Sequence, residues 1–192
     1  MKNHDQIFTI SIFSVGVVAL IISFFFDNLF LNFMESIRNP VFSYILNWAS
    51  HAISLVFVML IMTSLFMWEE KKRDWIIPTW IAFFTTLIVS SLLKLIVARE
   101  RPGEYLVPIL GWKTFAFPSS HAAVCFSLVA VFDRVYPMLK WFWVLFALVV
   151  AFSRLYLGEH FLSDVIAGGL IGFAIGLTLV HLKQKYNMFG AR

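Results

Sequence analysis

Three polar clusters interrupt an otherwise apolar chain: Lys94…Arg101-Pro102, Pro118-Ser119-Ser120-His121, and Ser153-Arg154…His160…Asp164. Together they carry cations, histidines, a carboxylate and a serine-rich helix start, the parts of a phosphate pocket with its own nucleophile. Arg154 offers a planar fork that matches two phosphate oxygens. His160 and Asp164 stand at i,i+4, so on a helix they share a face. A carboxylate so placed fixes the imidazole tautomer and stabilises the imidazolium formed when the other ring nitrogen attacks. His121, in a helical first turn, is placed to give a proton to a departing oxygen. Ser119 reads as the N-cap of that helix, whose free N–H groups and dipole favour an anion.

Each feature also has a plainer use. Lys94 and Arg101, seven positions apart, can project from one side of a helix end that Pro102 then stops. They can equally snorkel to an interface. Most capping serines bind no ligand, and an isolated His/Asp pair is commonly structural. Arg99 and Glu100 read as solvated rim residues. Convergence of the three clusters is what favours chemistry, because charges at the ends of lipid-buried helices are expensive unless they pair or serve a site. No carboxylate cluster of the kind magnesium prefers is present, and the single cysteine, Cys125, rules out a disulfide within the chain and a cysteine-based zinc site. Metal-independent chemistry without a cofactor is expected, with lysine and arginine neutralising phosphate charge.

The elements that must position these groups follow from hydropathy. A chain of 192 residues that is 60% hydrophobic and 14% charged cannot be an ordinary soluble domain. Apolar stretches at about 7–26, 49–68, 75–98, 119–136, 141–158 and 162–182 predict six membrane-spanning helices in one all-α domain covering residues 1–192. The first is taken as a retained helix rather than a removed signal peptide. Residues 28–46 predict a helix lying in the interface, broken at Pro40, with Leu29, Phe30, Phe33, Ile37 and Phe42 on its buried side.

A helix of about 18 residues rises ~27 Å, enough to cross, so the chain from His121 reaches the turn at Pro137 and returns to Arg154. All three clusters therefore meet at one membrane face. The loop with Lys71, Lys72 and Arg73 falls on the opposite face, as do Lys183 and Lys185. The positive-inside rule then puts both termini in the cytoplasm and the clusters outside, in the cell membrane. The formal charge of +4 forms no basic run, so nucleic acid is not expected as a partner.

These residues resemble the type 2 phosphatidic acid phosphatase superfamily. Its signatures are Lys, six residues and Arg-Pro; Pro-Ser-Gly-His; and Ser-Arg, five residues, His, three residues and Asp. Here they read KLIVARERP at 94–102, PSSH at 118–121 and SRLYLGEHFLSD at 153–164. The departure is Ser120, where the family has a glycine that lets backbone approach an anion closely. The resemblance implies that His160 attacks phosphorus and becomes phosphohistidine, with Asp164 orienting it. His121 would protonate the leaving group and then activate water. Lys94, Arg101, Ser119, the Ser120 amide and Arg154 would hold the phosphoryl oxygens. It also suggests a lipid phosphate as substrate: an isoprenoid diphosphate such as undecaprenyl diphosphate, or phosphatidylglycerophosphate or phosphatidate.

The loop from Gly103 to Phe117, rich in aromatics including Tyr105, Trp112, Phe115 and Phe117, reads either as a segment resting at headgroup level or as a lip for a lipid tail. Gly168, Gly172 and Gly176 recur every four residues, a pattern for close helix packing; a homodimer face is the secondary reading. His51 reads as a satisfied polar residue. Two other functions stay open: an anion-binding transporter, and a lipid phosphotransferase on the same scaffold.

Overall fold

The computed structural model describes residues 2–50, 52–103 and 115–186. His51 and the aromatic loop residues Tyr105 to Trp112 lie outside the described residues. Among those described there are seven α-helices and no strand: α1 Lys2–Ser36, α2 Pro40–Ser50, α3 Ala52–Trp68, α4 Ile76–Val97, α5 Ser120–Val135, α6 Lys140–Tyr156 and α7 Leu162–Tyr186. A 3₁₀ turn, Glu70–Trp75, leads into α4.

Among the described residues four stretches are long and apolar enough to cross a membrane: Thr9–Ser36, Lys72–Val97, Pro137–Tyr156 and Leu162–Tyr186. Large apolar side chains such as Phe25, Ile96 and Trp141 face outward along them, as lipid contact allows and water would penalise. The protein is a multi-pass membrane protein. The expectation of six spans is not met in full, because α3 and α5 have 17 and 16 residues. In α5 the reason is visible: it sits at the centre, with Ala122, Val124, Val131 and Phe132 all buried. Its composition is set by neighbouring helices rather than by lipid.

The interfacial helix expected at 28–46 is not a single element. Its first part continues α1 without a break to Ser36, since nothing before Asn39 disrupts helical hydrogen bonding. Pro40 opens α2 instead of kinking a helix, a position where its missing N–H is harmless. The Asn39 side-chain oxygen accepts from the N–H groups of Val41 and Phe42 at 2.9 and 3.3 Å, capping α2. The turn is tied to the end of α6: Asn39 N–H donates to the Tyr156 hydroxyl at 2.6 Å, and Arg38 Nε to the Tyr156 carbonyl at 3.2 Å.

The glycine stripe of α7 packs within the bundle. A Cβ on Gly168, Gly172 or Gly176 would collide with the backbone carbonyl oxygen of Ser119, Ala123 or Ser127 respectively. α7 therefore lies backbone to backbone along α5, with no side chain between them. This contact sets the start of α5, and its Ser119-Ser120-His121, against the start of α7, and its Asp164. The Ser119 N–H donates to the Asp164 carbonyl oxygen at 3.0 Å.

At the other end of the bundle, Lys183 on α7 pairs with Asp74 at 2.7 Å. The Lys71-Lys72-Arg73 turn and the C-terminus of α7 thus lie together, opposite the polar clusters.

Candidate active site

Four helix ends and two turns build the site. α4 ends at Val97, where Ala98 takes the left-handed conformation (φ 49°) and donates its N–H to the Lys94 carbonyl. For a residue with a Cβ that conformation costs roughly 1–2 kcal/mol. Pro102 is therefore not what stops this helix. The left-handed cap turns the chain four residues earlier, and Arg101 lies beyond the helix instead of on its face. Lys94 bends back to donate to the carbonyls of Phe115 and Ala116 at 2.8 and 3.1 Å. The second reversal follows α6. Gly158, at φ 69°, is folded so that a Cβ would strike the Arg38 guanidinium. Glycine takes this left-handed backbone without strain, and the turn swings Glu159 and His160 inward.

His160 is 2% exposed and Asp164 fully buried. His160 Nδ1 lies 3.5 Å from Asp164 Oδ2, the i,i+4 neighbour anticipated, although His160 itself precedes α7 rather than riding on it. The separation is longer than a good hydrogen bond. Asp164 Oδ2 accepts from the Phe161 N–H at 2.8 Å, and Oδ1 from Arg99 at 2.7 Å. Burial pushes the His160 imidazole well below its ordinary pKa, and the charges of Lys94, Arg101 and Arg154 add to that; a hydrogen bond to the Ala116 backbone opposes them. The same three cations, with His160, are the charges that bear on His121. Lys94, Arg101, His121, Arg154 and His160 thus share one small volume, and all three sequence clusters meet there.

Ser119 holds the N-cap position by backbone geometry, but its hydroxyl makes no capping bond. That oxygen is buried, with no hydrogen-bond partner among the described residues. A buried hydroxyl without a partner forfeits on the order of 1–3 kcal/mol, and an incoming phosphoryl oxygen is a group that could recover it. Ser120 begins α5, so its N–H belongs to the unpaired first turn.

Arg99, Asp27, Ser163, Glu159 and Ser50 complete the site, and the sequence alone assigns none of them a role there. Arg99 is not a solvated rim residue. It bridges Asp27 and Asp164, 2.7 Å from each, and also reaches the Ser163 hydroxyl at 2.6 Å. Asp27, deep in the apolar α1, accepts in addition from Ser163 N–H at 2.8 Å and Ser163 Oγ at 2.6 Å. Glu100 is exposed. Glu159, beside His160, places its carboxylate 2.9 Å from Arg154 and 3.7 Å from Arg101. Arg154 also donates to the hydroxyls of Ser153, at 3.2 Å, and Ser50. A carboxylate at the end of the first apolar run was the one available signal for Asp27. Among the described residues no group of three or more His, Cys, Asp or Glu side chains gathers as metal ligands.

Fold and site together define a multi-pass membrane protein in which a buried histidine–aspartate pair faces a cluster of lysine and arginine at one end of the bundle. Its family follows. The PAP2 superfamily model matches residues 75–188, and the chain belongs to that superfamily. It is 29% identical over 135 residues to an undecaprenyl-diphosphatase of Sulfolobus acidocaldarius, covering 67% of this chain and 65% of the relative. It is 28% identical over 178 residues to a lipid A 4'-phosphatase of Bacteroides thetaiotaomicron, covering 83% of this chain and 77% of the relative. In fold it matches the solved transmembrane PAP2 type phosphatidylglycerolphosphate phosphatase of Bacillus subtilis. That match has a TM-score of 0.73 at 19% identity, and covers 93% of this chain and 98% of the other.

Proposed function

We propose that this protein removes phosphate from a membrane lipid by way of a phosphohistidine on His160. Membership of the superfamily, with relatives named as phosphatases, makes it a phosphoric ester hydrolase; the substrate class and mechanism are read from the site. The observation that carries the reading is the buried His160 with Asp164 behind it and Lys94, Arg101 and Arg154 around it.

In the first step His160, neutral in this surrounding, attacks phosphorus with Nε2. The N–P bond forms as the bond from phosphorus to the leaving oxygen breaks, and His121 gives that oxygen its proton. Asp164 steadies the imidazolium through Nδ1. In the second step His121 takes a proton from water, the water oxygen attacks phosphorus, and the N–P bond breaks to free phosphate. Lys94, Arg101, Arg154, the Ser119 hydroxyl and the Ser120 N–H hold the phosphoryl oxygens, so the protein contributes position and charge.

The leaving group is a lipid. Relatives are named for undecaprenyl diphosphate and lipid A, and an apolar groove of about 340 Å³ between α1, α5, α6 and α7 has Ala151 and Val165 among its lining residues. Those two stand within one turn of Arg154 and next to Asp164. We count six crossings, with α3 and α5 included; the cationic turn at Lys71-Lys72-Arg73 opposite the site favours termini in the cytoplasm and the site at the outer face of the cell membrane.

The test is phosphate release by purified protein from undecaprenyl diphosphate, phosphatidylglycerophosphate, phosphatidate and lipid A, with and without vanadate and a chelator. Release from one or more, blocked by vanadate and indifferent to chelator, is expected. Normal release by His160→Ala would end the phosphohistidine mechanism. Anion transport without hydrolysis would replace the hydrolase reading with the transporter.

A further inference from the structure

Asp27 lies outside the residues matched by the superfamily model, 75–188, and no step of the proposed chemistry touches it. Its neighbours on α1 (Phe24, Phe25 and Phe26) are exposed on the apolar surface, whereas Asp27 is 3% exposed and fully engaged. It accepts from the Ser163 N–H, the Ser163 hydroxyl and Arg99 Nη2, at 2.8, 2.6 and 2.7 Å. Ser163 precedes Asp164 in the chain. Arg99 spends its other arm on Asp164 Oδ1 at 2.7 Å.

We propose that Asp27 is a positioning residue of the reaction: by sharing Arg99 with Asp164, it keeps the charge of Asp164 available to His160. The inference rests on the hydrolase reading above. Without Asp27, a full guanidinium charge would bear on Asp164 alone and cancel the field that an attacking imidazole needs. With it, two carboxylates share one cation and a unit of negative charge remains. Arg99 holds Asp164 by Oδ1, so the oxygen that faces His160 Nδ1 is Oδ2. The two bonds from Ser163 fix the first turn of α7 against α1, which sets where that oxygen points. An anchor for α1 alone would need neither the shared arginine nor a link to the catalytic carboxylate. Here both are present, and α1 becomes part of the active site.

Turnover of the best lipid of the panel by wild-type protein is measured first. Its absence would overturn the hydrolase reading and this inference with it. Asp27→Asn keeps size and one accepting oxygen but removes the charge, and its amide NH2 cannot accept as the second carboxylate oxygen does. It is expected to lower kcat about ten- to hundredfold with KM changed less than about threefold, per folded monodisperse protein. The double variant Asp27→Asn/Arg99→Gln removes the uncompensated cation while leaving a donor for Asp164. It is expected to recover at least half of the logarithmic loss in kcat. A merely structural Asp27 predicts the reverse, a double variant no better than the single. That result, or Asp27→Asn with kcat within twofold of wild type, overturns the inference while leaving the hydrolase reading intact. Should Asp27→Asn alone fail to fold, the charge-balanced double variant is compared with wild type. A kcat within about tenfold supports the inference, and a greater loss overturns it.

Discussion

Two carboxylate–arginine clusters flank His160, and they differ in how tightly they are closed. In the first, Asp27, Arg99, Ser163 and Asp164 are joined by contacts of 2.6–2.8 Å, and both carboxylates are built into helices, α1 and α7. In the second, Glu159 sits on the turn after Gly158, 2.9 Å from Arg154 and 3.7 Å from Arg101, whose Nη1 also reaches the Glu159 carbonyl at 3.3 Å. The first is a fixed frame behind the nucleophile. The second is a looser arrangement in which a carboxylate lies among the cations that would hold phosphate. The contrast teaches that the same residue types do opposite work. Charge locked between helices aims a histidine, whereas charge on a turn can yield to a ligand.

The largest effect should come from breaking the closed cluster at Asp164. Asp164→Asn leaves the shape but removes the charge that stabilises the imidazolium, and kcat should fall by about 10³–10⁴, measured as phosphate release with folding checked by size-exclusion in detergent. A loss below tenfold would mean that the carboxylate serves the fold and not the reaction. Next comes the open cluster. Arg154→Lys keeps a positive charge but not the planar fork, and should cost about 10²–10³ in kcat/KM. An unchanged kcat/KM would place the phosphate elsewhere.

The comparison also shows what could be read from the chain. The two cations of the second cluster were legible, because Arg101 and Arg154 sit at fixed spacings in short segments and hydropathy alone brings those segments to one face; its carboxylate, Glu159, was not. The glycine stripe at 168, 172 and 176 was legible for a similar reason: small residues four apart imply a close neighbour, and α5 is that neighbour. Of the first cluster only Asp164 was legible, by its spacing from His160. Arg99 looks like any cation beside a helix end, and its partner Asp27 is 72 residues away on a helix that spacing does not connect to it. The end of α4 was misassigned because Pro102 is a strong breaker on paper, while the left-handed Ala98 has no sequence signature. The start of the interfacial segment was misplaced because polar residues near 27–39 suggested an interruption. In the fold they are satisfied by distant partners such as Tyr156 and Arg99.

Glu159 offers a smaller but sharper test. If its carboxylate occupies cations that phosphate must take, then Glu159→Gln should bind anions more tightly. Inhibition by inorganic phosphate or vanadate should strengthen about three- to tenfold, about 1 kcal/mol, the net worth of an ion pair screened by solvent. kcat should fall if release of phosphate becomes limiting. Weaker inhibition in this variant would reverse the interpretation, making Glu159 a clamp that holds Arg154 in place and the second cluster as rigid as the first.

The smallest effect is on stability against pH, and its sign follows from His160. The folded protein holds this imidazole well below its ordinary pKa, by burial and by three cations, while the unfolded chain takes up a proton near the usual value of about 6.5. Below that pH the unfolded state binds a proton that the folded state refuses. The contribution is therefore fully present above about pH 6.5 and is lost as pH falls toward the depressed value. Wild-type protein should lose more thermal stability between pH 7.5 and 5.0 than His160→Gln, which cannot titrate there. Saturating phosphate should narrow the gap, because a bound anion neutralises the cations that keep the imidazole uncharged. Parallel curves for the two proteins would mean that the cations do not bear on His160, and the open cluster would lose its claim to be the place where phosphate meets the nucleophile.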